Sequence, residues 1–192
     1  MHIKANMDDC ALVIDEFLPK DLFKKVKDYN YKTENKHGSY SNWKKFLFKD
    51  SQQNTTMKNV NVQENIAVFE NGKIEADKTF EQFFKILFNC PFIPFQENSK
   101  IMLSYYEYEK FSGINWHDDG KYTLNYSFYI HDDWDNNWGG ETLIDTKRGL
   151  PLVSYPYPNT LLAIKNGIQH KVCPVTGPIK RKVLQVRGIF YE

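Results

Sequence analysis

The chain has 192 residues, 41% of them hydrophobic, and its 25 Lys and Arg nearly balance 24 Asp and Glu for a net charge of +1. That is room for a domain with a sizeable core, and a charge this close to zero argues against strong attraction to nucleic acid or an anionic membrane. Three widely spaced cysteines with no CxxC give a zinc ribbon no support and favour free, buried or half-buried thiols over a disulfide framework, and the absence of a leader-like start or a membrane-length apolar run points to a cytoplasmic protein.

Residues 11–18, ALVIDEFL, read as a short strand, and Pro19-Lys20-Asp21 opens a helix with Leu22, Phe23 and Val26 on one stripe. Residues 31–56 are polar around one apolar island at Trp43 and Phe46–Phe48. They read as a lid or substrate loop, or as plain surface, with His37 solvent-exposed. Residues 62–70 suit a strand ending in the Asn71-Gly72 turn. A helix is predicted from about Lys78 to Asn89, where Phe80, Phe83, Phe84, Leu87 and Phe88 recur at helical spacing before Pro91. It should pack on the outside of a sheet.

From residue 101 the pattern turns to strands: IMLSYYEYE, YTLNYSFYIH, GETLID, PLV, NTLLAIK, IQHKV and KRKVLQVRGIFYE. Many short strands separated by Gly, Pro and Asn, with no helices between them, indicate a sandwich or barrel. The aromatic content (14 Phe, 12 Tyr, 4 Trp) suits a β-rich core and an aromatic-lined pocket.

The candidate site lies in WHDDGKYTLNYSFYIHDDWDNNWGGE, residues 116–141. On an extended segment His117 and Asp119 would point to one side, since strand side chains alternate. With His170, in IQHKV, they form a set of two His and one carboxylate, the facial triad of non-heme Fe(II) oxygenases, which leaves half of the coordination sphere open. Alone, the His-x-Asp pair is as well explained by a surface hydrogen bond at a strand end, and His170 by a satisfied core histidine. His131, in YIHDDW, is a rival donor.

Taken in order, His117-x-Asp119, the Gly139-Gly140 pair, Pro158-Asn159-Thr160-Leu161, His170, Pro174-Val175, Gly177 and the basic Lys180-Arg181-Lys182 resemble the 2-oxoglutarate/Fe(II)-dependent oxygenases of the prolyl 4-hydroxylase-like group. The resemblance covers residues 100–192 well and the first hundred loosely. It implies a mostly β fold with flanking helices: a double-stranded β-helix (jelly-roll) barrel in residues 101–192, buttressed by N-terminal strand and helices in residues 1–100, as one domain. It also implies Fe(2+) bound by His117, Asp119 and His170, 2-oxoglutarate as co-substrate, and ascorbate as a further candidate cofactor.

The far carboxylate of 2-oxoglutarate needs a cation deep in an apolar barrel, because an unpaired buried anion is costly. Arg181, eleven residues past His170, has the planar, permanently charged fork that suits this task. Lys180, on the opposite face, and Arg187, on the same face, remain candidates. The family's Ser two residues after the Arg is Val183 here, so a hydroxyl partner is missing. Tyr129 matches the tyrosine that donates to the far carboxylate in the family. Tyr108 matches one that would line the 1-carboxylate side, although the family's following Gly is Phe111 here. Leu143 would be an apolar wall, and the glycine pair would permit a close strand bend.

The reaction implied is hydroxylation of an unactivated C–H with O₂, releasing succinate and CO₂. Asp119 favours hydroxylation over halogenation, since related halogenases lack this carboxylate. A prolyl or similar residue in a polypeptide is the preferred substrate. A free amino acid, a nucleic acid, or a non-catalytic jelly-roll binding module is the alternative. Nothing in the sequence gives the oligomeric state.

Overall fold

A computed structural model of the chain describes residues 1–7, 9–35, 60–93, 98–120, 122–146 and 149–191. His37 and the apolar island at Trp43–Phe48 lie outside the described residues.

The strands are β1 (His2–Met7), β2 (Ala11–Asp15), β3 (Glu34–Asn35), β4 (Val60–Glu70), β5 (Lys73–Glu75), β6 (Ser99–Tyr108), β7 (Ile114–His117), β8 (Leu124–Tyr129), β9 (Thr142–Ile144), β10 (Leu152–Ser154), β11 (Leu161–Ile164), β12 (His170–Val172) and β13 (Arg181–Phe190). Among the described residues the α-helices are α1 (Lys20–Lys27) and α2 (Lys78–Phe88), which stand where the periodicity puts them. The strands form two antiparallel sheets. The larger runs β1-β2-β11-β8-β13-β6-β4-β3, with β5 beside β4, and the smaller runs β10-β9-β12-β7. This is the expected jelly-roll arrangement with helices on one side. The first hundred residues do more than buttress it, because β1 to β5 are strands of the larger sheet itself.

Alternation along β6 shows how the larger sheet separates two environments. Ile101, Leu103 and Tyr105 join the core on the helix side, while Tyr106 and Tyr108 belong to a second cluster between the sheets. Helix α2 begins at Asp77, whose side chain caps Thr79 N–H, and buries Phe80, Phe83, Phe84 and Leu87. Phe83 packs against Phe17, Phe84 and Phe128 at centroid distances of 5.9, 6.3 and 5.5 Å, so α2 sits on the outer face of the sheet as predicted.

Three local features bear on the sequence readings. Strand β1 was not foreseen: HIKANM is largely exposed, at the edge of the sheet, and carries almost no apolar signal. The turn in which Phe111 replaces the family's Gly keeps a glycine-like backbone, with Phe111 at φ 67° and its ring 70% exposed. Gly139 does serve a close approach: at φ 69° a Cβ there would lie 2.2 Å from the Pro174 carbonyl oxygen.

Because Phe83 is fully buried at the junction of α2 and the sheet, Phe83→Ala should cost about 3–5 kcal/mol. Urea titration should show this as a lower midpoint at unchanged slope.

Candidate metal centre and anion pocket

The two imidazoles are brought together by strand register. In the smaller sheet His170 on β12 pairs directly with His117 on β7, and cross-strand neighbours of this kind stand side by side on one face. Their ring centroids are 4.3 Å apart. Each ring holds its Nδ1 against a backbone carbonyl two residues upstream, His117 on Asn115 O at 2.7 Å and His170 on Ile168 O at 3.0 Å. A carbonyl only accepts, so each Nδ1 carries a proton, and in the neutral ring Nε2 is the nitrogen left to bind a metal.

Asp119 reaches them by a different route from the one the His-x-Asp spacing suggests. Strand β7 ends at His117, and Asp119 and Gly120 follow at φ 53° and 60°. A left-handed turn, not strand alternation, swings the carboxylate back over the imidazoles. Asp118 steadies this turn by accepting from Gly120 N–H at 3.0 Å and from Gln169 Nε2 at 3.1 Å, which ties it to the residue before His170. Asp119 Oδ2 lies 3.2 Å from His170 Nε2 and Oδ1 lies 4.0 Å from His117 Nε2. One ligand atom from each of the three residues falls within 4.8 Å of the others, so the set could hold a metal ion. Burial alone would raise the Asp119 pKa, but the His170 contact and the Arg187 charge outweigh it and hold the group at about 2. Burial, with His170 alongside, pushes the His117 pKa down. At neutral pH the site therefore offers a carboxylate and neutral imidazole, the forms that bind metal.

A second polar group is buried on the inner face of the larger sheet. Arg181, 1% exposed, opens β13 opposite Tyr108. Its guanidinium lies 4.9 Å from the Tyr108 ring centre and 5.0 Å from that of Tyr129. It reaches two hydroxyls at long range, Tyr129 Oη at 3.5 Å and Thr142 Oγ1 at 3.4 Å. Its Nε has no hydrogen-bond partner, and no carboxylate pairs with it among the described residues. Gly140 makes room for this side chain: a Cβ there would lie 2.8 Å from the Trp134 ring and 3.3 Å from Arg181 Cδ.

The other sequence candidates fall elsewhere. Lys180 is on the outside, bonded to Glu107 at 2.6 Å and Glu109 at 3.2 Å, and is no rival to Arg181 in the pocket. Leu143 also faces out, paired with Val153 and Lys171, because Thr142 and Ile144 take the buried positions of β9. Thr142, missed in the sequence, supplies the hydroxyl that Val183 lacks. Tyr108 flanks Arg181 rather than the metal end, and burial raises its pKa to about 12. The tyrosine at the metal end is Tyr106, which accepts from Arg187 Nη1 at 2.9 Å. Arg187 is not beside Arg181: its Nη2 meets Asp119 Oδ1 at 3.3 Å. His131 is buried with both nitrogens used, Nε2 on Pro156 O at 2.5 Å and Nδ1 accepting from Lys182 N–H at 3.3 Å.

Residues 102–186 match the sequence profile of the 2OG-Fe(II) oxygenase superfamily. No curated protein sequence matches the chain. Solved structures of similar fold include a Pseudomonas putida prolyl-4-hydroxylase, 15% identical with a TM-score of 0.61 over 95% of this chain and 93% of that one. A Burkholderia pseudomallei oxidoreductase of the 2OG-Fe(II) oxygenase family is 14% identical with a TM-score of 0.61 over 98% and 92%. A Trichoplax adhaerens prolyl hydroxylase in complex with a hypoxia inducible factor peptide fragment is 12% identical with a TM-score of 0.58 over 93% and 83%. At such identities the likeness is one of fold. Among the described residues no helix is long and apolar enough to cross a membrane.

His131 gives the fold an acid sensitivity of known sign. Burial lowers its pKa from 6.5 to about 4, so the unfolded chain takes up a proton first. The stability it contributes is complete above about pH 6.5 and is lost as pH falls toward 4, roughly 3 kcal/mol in all. Urea unfolding of wild type and His131→Gln across this range should show the wild type losing more stability, with the difference confined to that window.

Proposed function

With residues 102–186 a member of the 2OG-Fe(II) oxygenase superfamily, we propose that this chain is a 2-oxoglutarate- and Fe(II)-dependent dioxygenase that hydroxylates an unactivated C–H bond. The observation that carries the reading is Arg181: a buried guanidinium with, among the described residues, no carboxylate beside it, on the inner face of the larger sheet, whose other arginine on that face reaches Asp119. A buried charge left this way is strongly unfavourable unless an anion completes it. The far carboxylate of 2-oxoglutarate is that anion.

The donor set fits the metal. Two Nε2 lone pairs and one carboxylate, all on one side, match the facial arrangement of non-heme iron and leave positions for a bidentate co-substrate. His117, Asp119 and His170 would hold Fe(II). When bound, the metal and 2-oxoglutarate supply the oxidising chemistry, in which O₂ is consumed, succinate and CO₂ leave and one oxygen atom enters the substrate.

The chain's own residues do the rest. The Asn115 and Ile168 carbonyls fix the tautomers of the two imidazoles. Arg181 receives the far carboxylate, with the Tyr129 and Thr142 hydroxyls turning to it. The Tyr108 and Tyr129 rings enclose the guanidinium and keep water from it. Lys180 and Leu143, which face outward, take no part. We read the chain as one catalytic domain.

For substrate we propose a prolyl or similar residue in a polypeptide. The similar fold of prolyl hydroxylases, one of them solved with a peptide, supports this choice over a free amino acid or nucleic acid. The deciding assay supplies Fe(II), ascorbate and 2-oxoglutarate and measures succinate with prolyl peptides, free amino acids and methylated nucleic acid in parallel. Substrate-dependent succinate with the peptides is expected. Metal binding without any turnover would instead identify a binding module.

His117→Ala and Asp119→Ala should abolish iron-dependent 2-oxoglutarate turnover while the circular dichroism stays native. Arg181→Ala should chiefly weaken 2-oxoglutarate binding, by about 2–5 kcal/mol, measured by calorimetry, with Lys180→Ala unchanged.

A further inference from the structure

The larger sheet contributes a clamp on Asp119 that no motif in the sequence announces. Asn125 on β8 and Arg187 on β13 are direct cross-strand partners on the inner face. Each takes a different oxygen of the same carboxylate: Arg187 donates to Oδ1 at 3.3 Å, and the Asn125 amide donates to Oδ2. Asn125 is buried, 6% exposed, and its amide nitrogen also lies 3.5 Å from His170 Nε2.

The Asn125 amide is not free to turn. Its oxygen accepts from Gln185 Nε2, and Gln185 Oε1 accepts from Ser127 Oγ at 3.0 Å. Ser127, Gln185 and Asn125 thus form a chain of donors that all point one way and end on the accepting Asp119 carboxylate. Reversing any link would set two acceptors or two donors face to face. Gln185 and Ser127 are themselves cross-strand partners, so the two strands that carry the chain also set its spacing.

We infer that Asn125 is a positioning residue for the metal centre: held by Gln185, it fixes the plane of the Asp119 carboxylate so that one oxygen of that group is aimed at the metal beside the two imidazoles. This rests on the proposed reading of His117, Asp119 and His170 as metal ligands. The need for such a clamp follows from the local chain. Asp119 stands on a two-residue left-handed turn beyond the end of β7, outside the ladder that fixes the two histidines. A carboxylate oxygen has lone pairs enough to accept a hydrogen bond and still bind a metal. The division of labour is also chemical. Arg187 brings charge, whereas Asn125 brings a neutral donor that orients the ligand without competing with the cation for its charge.

The test uses Co(II) as an air-stable probe of the full-length protein, titrated by calorimetry and by its visible ligand-field spectrum, with no turnover required. Asn125→Ala and the volume-conserving Asn125→Leu should bind Co(II) about tenfold or more weaker than wild type. The spectrum should change, while the melting temperature of the metal-free protein moves far less than the affinity would suggest. Co(II) affinity and spectrum within twofold of wild type, in whichever of the two variants is folded, would overturn the inference. Lowered stability with unchanged metal binding would overturn it equally, since that is what a merely structural Asn would give. Wild type that binds no Co(II) would sink the ligand assignment and this inference together. Wild type that binds Co(II) but never releases succinate with iron would sink the enzyme reading alone.

Discussion

The antiparallel register of β7 and β12 is the constraint on which the site depends. It sets His117 opposite His170, and a shift of one residue would send one imidazole to the outer face. The pairing with β9 runs in one register, Val172 facing Thr142 and His170 facing Ile144, whereas along β7 an irregularity separates the His170–His117 pair from the Val172–Ile114 pair. The same three short strands therefore deliver both imidazoles and, through Thr142, one wall of the anion pocket. Asp119 is the member that the sheet does not fix, and its geometry rests on a left-handed turn and on partners from the opposite sheet.

Those partners give the inner face of the larger sheet a gradient of function along β13. Arg181 and Arg187 have the same side chain and face the same way, yet their surroundings give them different tasks. Arg187 is neutralised by Asp119, and its guanidinium lies 5.6 and 5.3 Å from the ring centres of Tyr106 and Tyr122. Arg181 is enclosed by Tyr108, Tyr129 and Thr142, none of which is a carboxylate. Both keep a buried Nε without a hydrogen-bond partner, but among the described residues only Arg187 is paired with a carboxylate. That asymmetry distinguishes a ligand pocket from a structural ion pair.

Much of this was legible in the residues. The stripe Phe80, Phe83, Phe84, Leu87 marked the position and buried face of α2, and the alternation of IMLSYYEYE marked β6 as a strand. His117, Asp119 and His170 were readable because few residue types can hold a metal and their order matches a family pattern. What stayed hidden depended on geometry that sequence does not carry. The burial phase of GETLID turned on which residue entered the ladder, so Leu143 was put in the place of Thr142. Lys180 and Arg181 differ only by one step along a strand. Asn125 and Gln185 look like ordinary polar strand residues, and their roles exist only because β8 and β13 lie side by side. The φ of Asp119 is tertiary too: nothing in His-Asp-Asp-Gly requires the turn to begin before the second aspartate.

The most direct measurement is anomalous diffraction from crystals grown anaerobically with Fe(II) and 2-oxoglutarate. The account predicts a single iron bonded at roughly 2.0–2.2 Å to His117 Nε2, His170 Nε2 and one oxygen of Asp119, with the far carboxylate of 2-oxoglutarate on Arg181. Iron bound elsewhere, or 2-oxoglutarate that leaves Arg181 without an anion, would contradict it.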